Sequence, residues 1–274
     1  MSSLLNAPIA PTLFRLTLPM VFGIISIFLF NLADTYFIGL LGTSELAAVS
    51  FTFPITMLVM NLAIGQGIAT SALVARSIGK GDKSAAASQI TYSLYLSLLL
   101  SAVVAIVGLA FKDQIFRLMG AEDALMPLIS EYMTWYFCGV GSLVLVIVGN
   151  SALRAIGDTK ASSYLMIGSA VLNIILDPML IFGFGPVPAL GMKGAIIASI
   201  ICWALVLLAM GRILLREKLL APLPISSDTF VIWKKTLKLG VPAMATNMLG
   251  PLTNTILYSL VATYGTEAVA AYGV

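Results

Sequence analysis

Long apolar runs follow one another along most of the chain, and short polar segments separate them. Each run is longer than the roughly 18 residues that mark a membrane-spanning helix. No basic region or small-residue cleavage site accompanies the first run, so we expect a retained helix and not a signal peptide. The pattern predicts an all-α, polytopic membrane protein. The predicted spans are residues 13–41, 48–75, 88–111, 126–151, 162–183, 194–215 and 236–263.

Composition excludes a soluble domain. The 274 residues are 59% hydrophobic and 10% charged, whereas soluble domains average roughly 45–50% apolar and 25% charged residues. The net charge of +3 comes without a long basic tract, so we expect no nucleic-acid partner. The chain has no histidine, and its two cysteines lie within predicted spans. We therefore expect no metal site and no cofactor, and a proton relay would have to use carboxylates.

Basic residues fall mostly on one side of the predicted membrane. If the amino terminus is cytoplasmic, twelve of the fifteen Lys and Arg residues face the cytoplasm, and the other three are Lys112, Arg117 and Lys193. Cytoplasmic loops carry an excess of Lys and Arg. The distribution therefore predicts a cytoplasmic amino terminus.

The start of the chain is repeated near its end. Pro19 aligns with Pro242, Asn31 with Asn254, and "LGTSELAA" at 41–48 with "YGTEAVAA" at 264–271, at the same offset of 223 residues (242 minus 19). Six spans lie between the copies, so both copies should start on the same membrane face. The repeat predicts a six-helix amino-terminal lobe (1–220), a cytoplasmic linker (221–235) and the start of a second lobe (236–274). We expect the complete protein to have twelve membrane-spanning helices.

Two aspartates lie inside predicted spans, where an ionised side chain costs roughly 2.5–3.5 kcal/mol on insertion scales. Asp34 and Asp177 each lie about two-thirds of the way along a span that runs in the same direction, so we expect them at similar depth in the outer half of the bilayer. Asn31 and Asn173 precede them by three and four residues, on the same helix faces. Two acids and two amides predict a site for a proton or Na⁺. Alternatively, Asp177 could cap a helix broken at Pro178.

Three aromatic residues, Tyr132, Trp135 and Tyr136, lie near the outer end of the fourth span. They are typical of the aromatic belt at a membrane interface. The alternative is that Tyr136 or Tyr132 hydrogen-bonds Asp177 and lines a cavity. Two further cavity candidates on the second span are Asn61 and Gln66.

The first span is long enough to require a tilt or a bend. Its 29 residues would rise about 44 Å, against a hydrocarbon core of about 30 Å. Pro19 removes a backbone hydrogen bond within the span, and Gly23 follows one turn later. Our hypothesis is that the helix bends here and that the bend changes with the protonation of Asp34.

Five segments of the chain form a recognisable series in the same order as in a known family. They are "LADTYFIGLLGTSELAAVSF" (32–51), "GQGIATSALVARSIGKGD" (65–82), "ALRAIGDTKAS" (152–162), "LNIILDPMLIFG" (172–183) and "GMKGAIIASII" (191–201). With them, the chain resembles the multidrug and toxic compound extrusion (MATE) family of the multidrug/oligosaccharidyl-lipid/polysaccharide exporter superfamily. The resemblance implies two six-helix lobes around a central cleft, in a monomeric transporter of the bacterial inner membrane that is not an enzyme. It also implies export of amphipathic, often cationic compounds in exchange for H⁺ or Na⁺.

The resemblance also implies roles for single residues. Asp34, Asn173 and Asp177 match the family's cation-linked positions, and Pro19 matches the bend of the first helix. The segment 245–260 has no glutamate, and Leu257 occupies the repeat position of Asp34, which favours the DNA-damage-inducible (DinF-like) branch and coupling to H⁺. A threonine found on the sixth helix of some relatives has only Ala195 and Ser199 as nearby counterparts, which disfavours Na⁺.

Other functions remain open at this point. Within the superfamily, the alternatives are a flippase for lipids or lipid-linked precursors and a Na⁺-coupled drug antiporter. An intramembrane aspartyl protease also needs two aspartates on neighbouring spans, but such enzymes resemble one another in Tyr-Asp and Gly-x-Gly-Asp motifs. The contexts here are Ala-Asp-Thr and Leu-Asp-Pro. A scaffold or sensor would not need acids at matched depth.

Overall fold

The computed structural model describes residues 8–186, 188–221 and 227–262. Each predicted span falls on one helix, and the helices extend beyond most of the predicted ends. Residue 263 of the last predicted span and the repeat segment 264–271 lie outside the described residues. The helices are α1 (Ile9–Gly39), α2 (Thr43–Gly79), α3 (Lys83–Leu118), α4 (Met126–Ala155), α5 (Thr159–Ile181), α6 (Met192–Arg216) and α7 (Ser227–Ala262).

Six of the described helices, α1 to α6, are long and apolar enough to cross a membrane. The predicted all-α membrane fold with a six-helix lobe is confirmed. The seventh helix, α7, does not reach the same apolarity in its described part, because Thr246, Asn247 and Asn254 interrupt its apolar run. It also starts at Ser227, inside the stretch predicted as a linker.

Two of the turns between helices have the same local construction. Gly81 and Gly157 adopt φ values of +77° and +89°, which residues with a Cβ atom rarely adopt. Each glycine is followed by an aspartate whose carboxylate accepts a hydrogen bond from the next helix: Asp82 from the Ala85 amide and Asp158 from the Ala161 amide. A glycine at the end of one helix and an Asp N-cap at the start of the next reverse the chain in a few residues.

Helix α4 lies at the centre of the lobe. It packs against α2, α3 and α6, and α1 packs mainly against α5, which joins the group through α6. Among the described residues, apolar side chains from these helices form three buried clusters: one around Met133 and Val144, one around Ile90 and Leu153, and a small one that contains Ile38 and Ile181. The polar positions described below therefore lie within a packed helical bundle.

Helix α7 contacts α2 through a close approach of two backbones. A Cβ atom added at Gly65 would lie 2.9 Å from the Gly240 carbonyl oxygen and 2.9 Å from the Met244 amide nitrogen. Small residues let transmembrane helices approach in this way. The start of the predicted second lobe is thus attached to α2.

We expect Gly65→Ala to destabilise the protein, because its methyl group would meet backbone atoms of α7 that have no room to move. Overpacking of this kind costs about 1–3 kcal/mol. Thermal unfolding of the purified protein in detergent measures the change. Gly79→Ala on the same helix is the control, since an added Cβ there meets no atom within 4 Å. Equal melting temperatures for the two variants would contradict the close contact.

Candidate functional site

Asn173 and Asp177 form a buried pair on α5. Asn173 Nδ2 donates a hydrogen bond to Asp177 Oδ1 at 2.8 Å, and both side chains are fully buried. Helix α5 continues through Pro178 without interruption. The alternative interpretation, in which Asp177 caps a broken helix, is therefore wrong, and the carboxylate has no capping role at this position.

Helix α1 runs alongside α5 in a register fixed by contacts at two levels. On one level, a Cβ added at Gly23 would lie 3.1 Å from Met166 Sδ and 3.4 Å from Ser163, so the missing side chain lets the two helices approach. On the other, Ile38 and Ile181 belong to one buried cluster. The two helices are parallel, because both contact pairs advance along the chain in the same direction.

This register places Asp34 at the level of Asp177. Each aspartate lies one helical turn before a member of the isoleucine contact, Ile38 or Ile181. The two carboxyl groups are close enough for the charge of one to act on the other. The two acids thus lie at one level of the bundle, and their depth in the outer half of a bilayer stays a prediction.

Three oxygen atoms of this site are buried and have no hydrogen-bond partner among the described residues. They are Asp34 Oδ1, Asn173 Oδ1 and Asp177 Oδ2. Carboxylate oxygens and amide oxygens accept hydrogen bonds or coordinate hard cations. The described residues contain no cluster of three His, Cys, Asp or Glu side chains that could hold a metal ion. The arrangement is suited to a proton or an oxygen-coordinated monovalent cation.

The three aromatic residues of α4 separate into two environments. Trp135 is 38% exposed, and Lys193 Nζ lies 5.1 Å from its ring centroid, which fits the interfacial belt. Tyr132 and Tyr136 are buried, and the Tyr136 hydroxyl has no hydrogen-bond partner among the described residues. Tyr132 is within electrostatic range of Asp34 and Asp177. The belt interpretation therefore holds for the tryptophan and not for the two tyrosines.

Helix α6 contributes the residues nearest to the family's threonine position. Ala195 packs in the same cluster as Ile38 and Ile181, one helical turn from the level of Asp34 and Asp177. Ser199, one turn further along α6, is buried and lies at about the level of the two aspartates. Of these two candidates, Ser199 has a side-chain oxygen that could bind a cation, and Ala195 has none.

The remaining candidates of α1 lie outside the buried pair. Asn31 is exposed in this chain, and its amide donates to the Ile27 carbonyl of its own helix at 2.8 Å. Pro19 lies within α1, which continues as one helix across it, and Gly23 serves the contact with α5 described above. The predicted bend at these two residues stays a prediction.

The two candidates of α2 form hydrogen bonds with backbone carbonyl groups. Gln66 is buried and its Nε2 atom donates to the Ser93 carbonyl of α3 at 3.2 Å. Asn61 is half-buried and donates to the Met57 carbonyl at 3.0 Å. Within the described residues, these hydrogen bonds go to backbone carbonyls and not to Asp34 or Asp177, and the role of both side chains in a cavity stays a prediction.

Sequence reasoning missed Asn150. This side chain is buried on α4, and its Oδ1 atom has no hydrogen-bond partner among the described residues. It follows Tyr132 by 18 residues, five turns of helix, so both side chains project from the same face. The sequence already contains this spacing, and an asparagine within an apolar run could have indicated a buried polar position.

A comparison with protein families decides the identity. A family model described as MatE matches residues 19–179, which include Asp34, Asn173 and Asp177. The chain belongs to the MatE family. The predicted resemblance is confirmed at the level of the family.

Curated relatives of this MatE chain carry the names of transporters. It is 39% identical over 272 residues to a FAD transporter of Shewanella oneidensis, covering 98% of this chain and 60% of that protein. It is 28% identical to the multidrug export protein MepA of Staphylococcus aureus, covering 98% of this chain and 59% of that protein. The chain thus spans about 60% of the length of the curated relatives it matches.

Solved structures of MATE transporters share the fold. The Vibrio cholerae MATE transporter VcmN in the bent form superposes with a TM-score of 0.90 and 32% identity, covering 96% of this chain and 59% of that chain. A MOP superfamily transporter from Pyrococcus furiosus gives a TM-score of 0.85 and 32% identity, covering 99% of this chain and 60% of that chain. The chain is a multi-pass membrane protein of a transporter family.

Proposed function

We propose that the protein is a secondary active exporter that exchanges amphipathic cations for protons bound at Asp34 and Asp177. The observation that carries the proposal is the group of three buried oxygens without hydrogen-bond partners, which two parallel helices bring to one level. We further propose that it lies in a bacterial inner membrane with a cytoplasmic amino terminus, in agreement with the distribution of Lys and Arg.

The coupling follows from competition for the same carboxylates. A cationic substrate interacts more favourably with ionised Asp34 and Asp177 than with the protonated acids. Substrate that binds from the cytoplasm therefore favours proton release, and protons that bind from outside favour substrate release. Thermodynamic linkage requires the two effects to be equal. Asn173 holds Asp177 Oδ1 by its hydrogen bond and leaves the second carboxylate oxygen for the cation.

A single proton supplies enough free energy for useful export. Movement down a gradient of one pH unit yields about 1.4 kcal/mol, and movement of one charge through 100 mV yields about 2.3 kcal/mol. When the exported substrate carries one positive charge, the potential terms of the proton and of the substrate cancel, and a gradient of one pH unit alone supports a concentration ratio of about tenfold. We propose H⁺ and not Na⁺ as the coupling ion, because neither of the two positions nearest to the threonine of some relatives, Ala195 and Ser199, carries a threonine.

Vesicles that contain the protein produced from its complete gene test this function. With an acidic lumen, we expect a fluorescent cationic amphiphile to accumulate inside, because protons leave as the substrate enters. A Na⁺ gradient imposed at equal pH on both sides should cause no accumulation. Accumulation driven by Na⁺ alone would contradict coupling to H⁺, and absence of accumulation under both gradients would contradict antiport.

The FAD transporter of Shewanella oneidensis provides a second candidate substrate class, flavin nucleotides. FAD carries a pyrophosphate group and is anionic, so ionised carboxylates at this site would repel it. Direct competition with protons would then have the opposite sign. The affinity for a cation should rise with increasing pH, whereas the affinity for FAD at the same site should fall. Binding titrations with both ligands at several pH values separate these candidates.

A further inference from the structure

A groove with an apolar lining lies between α5 and α6. Its volume is about 170 Å³, below the roughly 300–1,000 Å³ of pockets that enclose drug-sized molecules. Gly168 leaves part of the groove open, because no atom lies within 4 Å of the position that its Cβ would take. The other lining residues are Tyr164, Leu165, Ser169, Leu172, Cys202, Leu205, Val206 and Ala209.

Three basic residues lie at one end of this groove. Lys160 precedes the lining residue Tyr164 by one turn of α5, and Arg212 and Arg216 continue the face of α6 that carries Ala209. A spacing of three or four residues keeps side chains on one helix face, about 6 Å apart along the axis. The start of α5 and the end of α6 are on the same membrane face, because one loop joins their opposite ends.

These basic side chains are available to a ligand. All three are exposed, and none forms an ion pair with an acidic residue in the described part of the chain. The two acids nearby are Asp158, whose carboxylate accepts from the Ala161 amide, and Glu217 beyond the end of α6. The groove mouth therefore keeps a positive charge.

We propose that this groove binds an anionic glycerophospholipid, with one acyl chain between α5 and α6 and the phosphate at Lys160, Arg212 and Arg216. An apolar groove in a membrane-facing surface is filled by hydrocarbon, and basic residues at its cytoplasmic end select an anionic headgroup. Tyr164 is mostly exposed one turn inside Lys160, at the level where tyrosines lie against lipid headgroups. Helix α7 packs mainly on α2, so its described part does not cover this groove.

The floor of the groove adjoins the acid pair. Leu172 lines the groove and is followed directly by Asn173. Cys202, which also lines it, is buried and within electrostatic range of Asp177. A bound acyl chain would therefore lie against the helices that hold the coupling carboxylate.

Native mass spectrometry of the protein from its complete gene, in detergent with equal phosphatidylglycerol and phosphatidylethanolamine, tests the proposal. We expect the wild type to retain phosphatidylglycerol at least about fivefold over phosphatidylethanolamine, and the triple variant Lys160→Gln, Arg212→Gln, Arg216→Gln to lose this preference. The matched control, Arg76→Gln, Lys80→Gln, Lys83→Gln, removes the same charge from exposed residues at the end of α2, in the following turn and at the start of α3, and should keep the preference.

A second variant tests the acyl chain. Gly168→Leu fills open space in the groove, so we expect it to reduce retained phosphatidylglycerol at an unchanged melting temperature. Retention by Gly168→Leu equal to the wild type would overturn the proposed acyl site. A preference kept by the first triple variant, or lost equally in the control, would overturn the headgroup site. Removal of the preference by soluble glycerol phosphate would show that the headgroup alone is recognised and would also overturn the proposal.

Discussion

Export of a cationic substrate is expected to fall at least about tenfold in Asp34→Asn, a loss equivalent to ~1.4 kcal/mol. Asparagine has nearly the shape of aspartate but neither binds nor releases a proton at this site. The half-buried position on α1, with one oxygen buried and unpartnered, should accept the amide without loss of folding. Initial rates in vesicles with an acidic lumen measure the effect.

The control for this variant is Asp113→Asn, which makes the same chemical change at an exposed acid near the carboxy-terminal end of α3. We expect wild-type export from it. Wild-type export from Asp34→Asn, at matched protein content and melting temperature, would contradict the assignment of Asp34 to coupling.

Removal of the Asp177 carboxylate is expected to reduce export by a similar factor. It should also remove the stabilising hydrogen bond that Asn173 donates to this carboxylate. In the wild type, Asn173→Ala leaves Asp177 Oδ1 without its donor, which costs about 1–3 kcal/mol of stability. In an Asp177→Ala background the same change should cost less, since the amide there has no carboxylate to bind. Thermal unfolding of the four proteins in this double-mutant cycle measures the coupling.

The expected coupling energy is about 0.5–3 kcal/mol, the range found for residues in direct contact. Additive effects, with Asn173→Ala equally destabilising in both backgrounds, would show that the hydrogen bond is not what stabilises the pair. Wild-type export from Asp177→Asn would contradict the proposal that Asp177 binds the exchanged proton.

The helices and the common level of the two acids in the bundle could be predicted from the sequence. Apolar runs mark the spans, and counting their direction places Asp34 and Asp177 at one level. The ends of the helices could not be predicted as well, because a helix can continue beyond its apolar run. Helix α3 extends from Lys83 to Leu118, whereas the predicted span was 88–111. Hydropathy indicates which part of a helix lies in the membrane, but it does not indicate where the backbone hydrogen bonds of the helix end.

The neighbours of each side chain required the structure. Asn31 shares a side of α1 with Asp34, but the sequence does not tell which side faces α5. Trp135 and Tyr136 are adjacent in the chain, and a rotation of about 100° between them sends one to the surface and the other into the bundle. The contact at Gly23 joins two helices that are far apart in the sequence, so no local sequence pattern predicts it.

Proton release on substrate binding tests the central claim most directly. Purified protein in weakly buffered detergent, at a fixed pH, is mixed with a cationic amphiphile while a pH indicator records released protons. We expect the wild type to release protons in proportion to bound substrate and the double variant Asp34→Asn, Asp177→Asn to release none. Equal release from both proteins, at equal substrate occupancy, would contradict the exchange of protons for substrate at these two carboxylates.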